Sequence, residues 1–193
     1  MNFVKIIPLL FILLLITSCS TTRMYTYSVG EGSTICDKSN TDLGAVAILP
    51  EAAWRKDQKG PAKRKQMALD EIKSAFKGFP CGDVSSPGGV REFANWTAMP
   101  KQEMLKGFSN EGVDTIVIIR VEELTPRLAI TFSIPFLWSG TNEADFHVSV
   151  ISVKTGNTLA DMRAKRVTGG PFNIRPAEWS RYELNAALHS VIN

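Results

Sequence analysis

The chain has 193 residues, 44% hydrophobic and 21% charged, with 22 Lys plus Arg against 19 Asp plus Glu. Those proportions fit one compact globular domain and exclude a disordered tail protein, a collagen-like chain and a polytopic membrane protein. A net charge of +3 is too small to argue for nucleic-acid binding, which calls for a concentrated basic face.

At the start of the chain Lys5 supplies a positive charge, Ile6 to Ile16 form an apolar run, and Thr17-Ser18 precede Cys19. As a helix this run rises about 16 Å, roughly half of a bilayer's hydrocarbon core, so it predicts a signal-peptide core and not a permanent span. Ile16-Thr-Ser-Cys19 resembles the lipobox of bacterial lipoproteins. That resemblance implies removal of residues 1–18, diacylglyceryl modification of the Cys19 thiol and acylation of its new amino group. Acyl chains at about 0.8 kcal/mol per buried methylene then hold the chain on a membrane. In enterobacterial lipoproteins, which this start resembles, Asp after the cysteine favours the inner membrane. Ser20 stands there instead, so the expectation is an outer-membrane anchor with the domain in the periplasm.

With Cys19 lipidated, Cys36 and Cys81 are the only thiols left, and an oxidising compartment favours a disulfide between them. The other reading is two separately buried thiols. Residues 19–42 are rich in Ser, Thr, Gly and Asn, lack an apolar period and read as a flexible tether. Residues 43–193 read as a single domain.

Within that domain, Gly44-Ala-Val-Ala-Ile-Leu-Pro50 suits a buried strand stopped by proline. Pro61 is placed to open a helix whose Leu69, Ile72, Phe76 and Phe79 share a face and which ends near Gly78. Turn-forming residues from Pro80 to Gly89 leave room for a short strand around Val84. A second helix begins at Pro100, with Met104, Leu105 and Phe108 as its apolar stripe, and stops by Gly112. Thr115 to Val121 is apolar without alternation and predicts a strand covered on both faces at the centre of the sheet. Leu128 to Leu137 and Asp145 to Val153 read as further strands separated by a Ser139-Gly-Thr-Asn142 turn, with Phe146, Val148 and Val150 on one face. Lys154 to Asn157 turns the chain into a strand from Thr158 to Val167. Leu184, Leu188 and Val191 mark a C-terminal helix starting near Pro176. This order predicts an α/β (α+β) sandwich: a mixed sheet of about four to six strands, helices packed on it and a helix at the C-terminus.

Ala45-Val-Ala-Ile-Leu-Pro50, Gly112-Val-Asp-Thr-Ile-Val-Ile118 and Ser152-Val-Lys-Thr-Gly156 resemble landmarks of periplasmic lipoproteins related to the curli secretion lipoprotein and the penicillin-binding-protein activator lipoproteins. They cover about residues 44–167. The chain departs from the curli channel pattern in lacking room for two long membrane-inserting hairpins, so pore formation is not carried over.

No metal centre is expected, because His147 and His189 lie far apart and no CxxC occurs. No cofactor is expected either, since phosphate loops and nucleophile elbows are missing from the sequence. Ser74-Ala-Phe-Lys77 fits SxxK and Lys154-Thr-Gly156 fits KTG, two elements of penicillin-recognising serine enzymes. The intervening SDN element is missing and KTG already serves as a hairpin turn, so a serine hydrolase is the remote alternative and no catalytic residue is expected. Two surfaces remain as candidates. Arg55, Lys56, Lys59, Lys63, Arg64 and Lys65 concentrate positive charge at a helix start, against the helix dipole, and form an anion or partner patch. Phe136, Leu137 and Trp138 follow Pro135 in an apolar stretch expected on a sheet edge, where they form a docking surface or cap the core. The function expected is a non-enzymatic lipoprotein that binds a protein of the envelope. Self-assembly into a ring or scaffold, suggested by the channel-forming relatives, is the alternative.

Overall fold

The computed structural model describes residues 21–29, 34–36, 42–54, 60–85, 87–129, 139–171 and 178–193. Cys19, Arg55, Lys56, Lys59, Phe136, Leu137 and Trp138 lie outside these. In chain order the elements are β1 (Thr21–Val29), β2 (Val46–Ala52), α1 (Pro61–Ala75), β3 (Gly89–Val90), a single 3-10 turn (Trp96–Ala98), α2 (Lys101–Asn110), β4 (Thr115–Ala129), β5 (Ser139–Ser152), β6 (Thr158–Pro171) and α3 (Trp179–Ile192).

Six strands form one mixed sheet in the order β1-β6-β5-β4-β2-β3. β2 runs parallel to β3 and β4, and the other pairs are antiparallel. Apolar residues on both faces of β2 and β4 need cover on both sides, and the helices supply it. Val46, Ile48, Val117, Ile119, Phe146, Val148, Val150 and Met162 form one core with Ile72 and Ala75 of α1 and Leu184, Leu188 and Val191 of α3. Ala47, Leu49, Ile116, Ile118 and Ile151 form a second core with Met104 and Phe108 of α2. Among the described residues no helix is long and apolar enough to cross a membrane.

The architecture matches the sequence expectation, while several local features differ. Thr21–Val29, expected within the tether, is an edge strand paired along its length with β6, from Thr21 opposite Gly169 to Val29 opposite Asp161. Ile35 and Cys36, from the same expected tether, donate backbone hydrogen bonds to Val191 and Ile192 at 2.6 and 3.1 Å. The folded body therefore reaches back to Thr21. Ser139–Asn142 is not a turn. These residues pair with both β4 and β6, and strand pairing on two sides overrides their turn preference. Thr115–Ala129 is one long strand with a register shift between Val121 and Glu123. Its pairing with β2 ends at Val121, so Pro126 falls where β4 has no β2 partner, a setting that tolerates proline. Around Val84 there is only an isolated bridge between Ala45 and Asp83, and the short strand sits later, at Gly89–Val90.

Candidate functional site

The end of the sheet that carries Thr21 follows from the registers. Thr21 is opposite Gly169, Thr141 is opposite Gly169 on the other side, Ser139 is opposite Pro171, and Ala129 is opposite Ser139. Small residues let the strands close up here. A Cβ on Gly169 would lie 2.4 Å from Thr141 Cγ2 and 2.7 Å from the Gly140 carbonyl oxygen. Thr21 Oγ1 donates to the Gly169 carbonyl at 3.3 Å, and the Thr22 and Thr168 hydroxyls are 2.9 Å apart.

Cys36 and Cys81 are joined by a disulfide, with Cα atoms 5.6 Å apart. Three links bring them together. Residues 35–36 pair with the end of α3, Cys81 follows the turn after α1, and the Cys81 carbonyl accepts from Leu43 N–H at 2.7 Å. Next to the bond lies an open groove of about 890 Å³, lined in part by Lys73, Phe76, Lys77, Phe79, Asp83 and Val90. Asp83 accepts hydrogen bonds from the Ser85 hydroxyl and backbone N–H, which hold its carboxyl below the ordinary carboxylate range.

The sheet face away from α1 and α3 carries ionised residues on neighbouring strands. Arg163 donates from Nε and Nη2 to the two carboxylate oxygens of Asp145, both at 2.9 Å, and its Nη2 lies 2.8 Å from Glu122 Oε2. Lys165 Nζ is 2.6 Å from Glu143 Oε1 and 3.9 Å from Asp145 Oδ2. The carboxylates of Glu143 and Asp145 are each 6% exposed, whereas Arg163 is 50% exposed, so the cations lie over the acids and shield them from water. The hydrogen bond to Asp145 raises the Arg163 pKa, against a partial offset from burial. His147 pairs with Asp161 on the same face. These pairs set opposite charges side by side across neighbouring strands, and Ser149 stands opposite Asp161 in the β5–β6 register. Among the described residues no group of three or more His, Cys, Asp or Glu is placed to hold a metal ion.

The basic concentration at the start of α1 is partly spent on the fold. Lys63 Nζ lies 2.6 Å from Glu178 Oε1, which holds the Glu178 carboxyl below its ordinary range, and Arg64 donates to the Leu124 carbonyl. Lys65 lines a small polar hollow with Glu51 and Arg120. The dipole conflict of three cations in the first turns thus has a visible compensation in Glu178, which sequence periodicity did not signal. Ser74 is exposed on α1, and Lys77 and Lys154 line two different hollows, neither of which includes Ser74.

The polar residues of the Gly112–Ile118 segment also have structural work. Asp114 Oδ2 accepts from Ala45 N–H at 2.9 Å and Thr115 Oγ1 donates to the Leu43 carbonyl at 2.7 Å, which ties the start of β4 to the start of β2. A Cβ on Gly44, whose φ is +65°, would lie 2.4 Å from Asp114 Oδ2.

No known family model matches the chain, and no curated protein matches it. Among solved structures it is similar to the PelC dodecamer from Paraburkholderia phytofirmans, with 12% identity, a TM-score of 0.40 and coverage of 90% of this chain and 98% of that one. Lipoprotein GNA1162 from Neisseria meningitidis gives 8% identity and a TM-score of 0.41 over 77% of this chain and 97% of that one. Protein XCC0632 from Xanthomonas campestris gives 13% identity and a TM-score of 0.38 over 81% and 84%.

Proposed function

We propose that this chain is a lipid-anchored protein of the bacterial envelope that acts by binding another protein and not by catalysis. The observation that carries this reading is the Cys36–Cys81 disulfide, because such bonds persist in oxidising compartments and the signal-like start ending at Cys19 addresses the chain to one. The lipid attaches through Cys19, and Ser20 favours the outer membrane with the domain in the periplasm. A binding role is supported by the ionised sheet face, where Arg163 and Lys165 lie over Asp145 and Glu143 and present a charged surface. Lys63 and Arg64 are engaged within the fold, which narrows the basic patch.

The test is crosslinking and mass spectrometry on intact cells, comparing the native protein with Cys19→Ala. The mature native protein should begin with a diacylglyceryl-modified cysteine, fractionate with the outer membrane and crosslink to a defined envelope protein, while Cys19→Ala loses the membrane fraction. An unprocessed, unacylated chain in the cytosol overturns the address. Penicillin-labelled Ser74 overturns the non-catalytic reading.

A further inference from the structure

The segment expected to let the domain stand off the membrane is instead a strand of the sheet. We propose that the sheet end carrying Thr21, Thr141 and Gly169 sits against the lipid headgroups of the membrane that holds the anchor, with the strands rising away from it. This inference rests on Cys19 being the lipidated residue, as proposed above.

The argument is one of reach. Only Ser20 separates Cys19 from Thr21, and two residues span at most about 7 Å even when fully extended. Thr21 cannot move independently of the domain. β1 pairs residue by residue with β6 from Thr21 to Val29, and Met24 packs on the main core. Diacylglyceryl in the bilayer therefore fixes the height of the whole sheet through β1. Ser139 and Pro171 lie two positions beyond Thr141 and Gly169 along their strands, about 7 Å nearer the anchor, so the end of β5 and β6 comes level with the limit of Cys19's reach. β4 leaves and β5 returns at this same end, at Ala129 and Ser139. The opposite end of the sheet, the Lys154–Asn157 turn, lies about 40 Å away along β5.

The lipidated full-length protein offers a direct test. Its own cysteines are occupied by lipid or by the disulfide, so an introduced thiol is the one site for a fluorophore. Ser139→Cys and Lys154→Cys proteins, each labelled, are reconstituted in phosphatidylethanolamine–phosphatidylglycerol vesicles containing an energy acceptor on the headgroup. Transfer should be several-fold stronger from position 139 than from position 154. Equal transfer from the two, with protein retained on the vesicles, overturns the seating while leaving the anchor intact. Failure to retain the protein, together with an N-terminal peptide lacking the diacylglyceryl mass, overturns the anchor and this inference with it. Circular dichroism of both labelled variants must match the parent, and a label at the exposed Thr21, as Thr21→Cys, takes the place of position 139 if Ser139→Cys misfolds.

Discussion

Gly88 sits where a side chain has no room: a Cβ there would lie 2.1 Å from the Val46 carbonyl oxygen. Backbone cannot yield as a flexible side chain does, so Gly88→Ala should lower stability by about 1–3 kcal/mol in denaturant unfolding. Gly107 is the contrasting case. It lies inside α2 with nothing within 4 Å of its notional Cβ, so Gly107→Ala should raise stability by about 0.5–1 kcal/mol. Measuring the opposite sign at either position would refute the packing described around it. Glu178 gives a residue-scale pH prediction. Its carboxyl is held below the ordinary range by the hydrogen bond from Lys63. A carboxylate with a lowered folded pKa contributes stability that is present above its unfolded pKa and is lost as pH falls through its folded pKa. The melting temperatures of the parent and Glu178→Gln should therefore differ at neutral pH and converge as the pH falls below about 4.

At the scale of elements, the disulfide joins the segment paired with the end of α3 to the turn after α1, closing a sequence separation of 45 residues. Constraint of the unfolded chain makes the double variant Cys36→Ala, Cys81→Ala less stable by about 2–4 kcal/mol, which urea unfolding under non-reducing conditions measures directly. An unchanged midpoint would mean that the backbone bonds of Ile35 and Cys36 already hold this segment. The elements most legible in the sequence are those whose apolar residues have one periodicity and one environment. Ile72 and Phe76 located α1 and Met104 and Phe108 located α2, because each pair fills one of the two cores, and the unbroken Ile116–Ile119 run located β4 because it fills both. β1 escaped the same reasoning. Among its described side chains Met24 alone packs on the core, while Tyr25 and Tyr27 are exposed, so a strand stabilised by main-chain pairing leaves little apolar signature. Ser139–Asn142 misled for a related reason, since pairing with β4 and β6 comes from residues distant in sequence. At the candidate site, the cysteine pair was legible from count and compartment. The Arg163–Asp145 and Lys165–Glu143 pairs were not, because their partners are set by cross-strand register.

At the scale of the molecule, the sheet ends on two unequal edges: β1, nine residues long, and β3, only two. An edge as long as β1 is a template for another strand. A two-fold pair that continues the sheet through β1 must bring the two copies together antiparallel, centred near Tyr25, the middle residue of the strand. The two Thr21 residues would then lie at opposite ends of a ribbon about 30 Å long. With the strands rising from the membrane as proposed above and only Ser20 between Thr21 and the lipidated Cys19, one of the two anchors would be held about 30 Å above the bilayer, out of its reach. Membrane seating therefore disfavours β1-to-β1 assembly even though, among the described residues, no strand pairs with the outer edge of β1. A Tyr25→Cys protein bound to vesicles should give little disulfide-linked dimer on mild oxidation, whereas the same substitution in the unanchored Cys19→Ala chain is free of this restraint. High-yield dimer on the vesicles, with the fold retained by circular dichroism, would show that neighbouring copies meet through β1 and would contradict an orientation in which every sheet rises from the same surface.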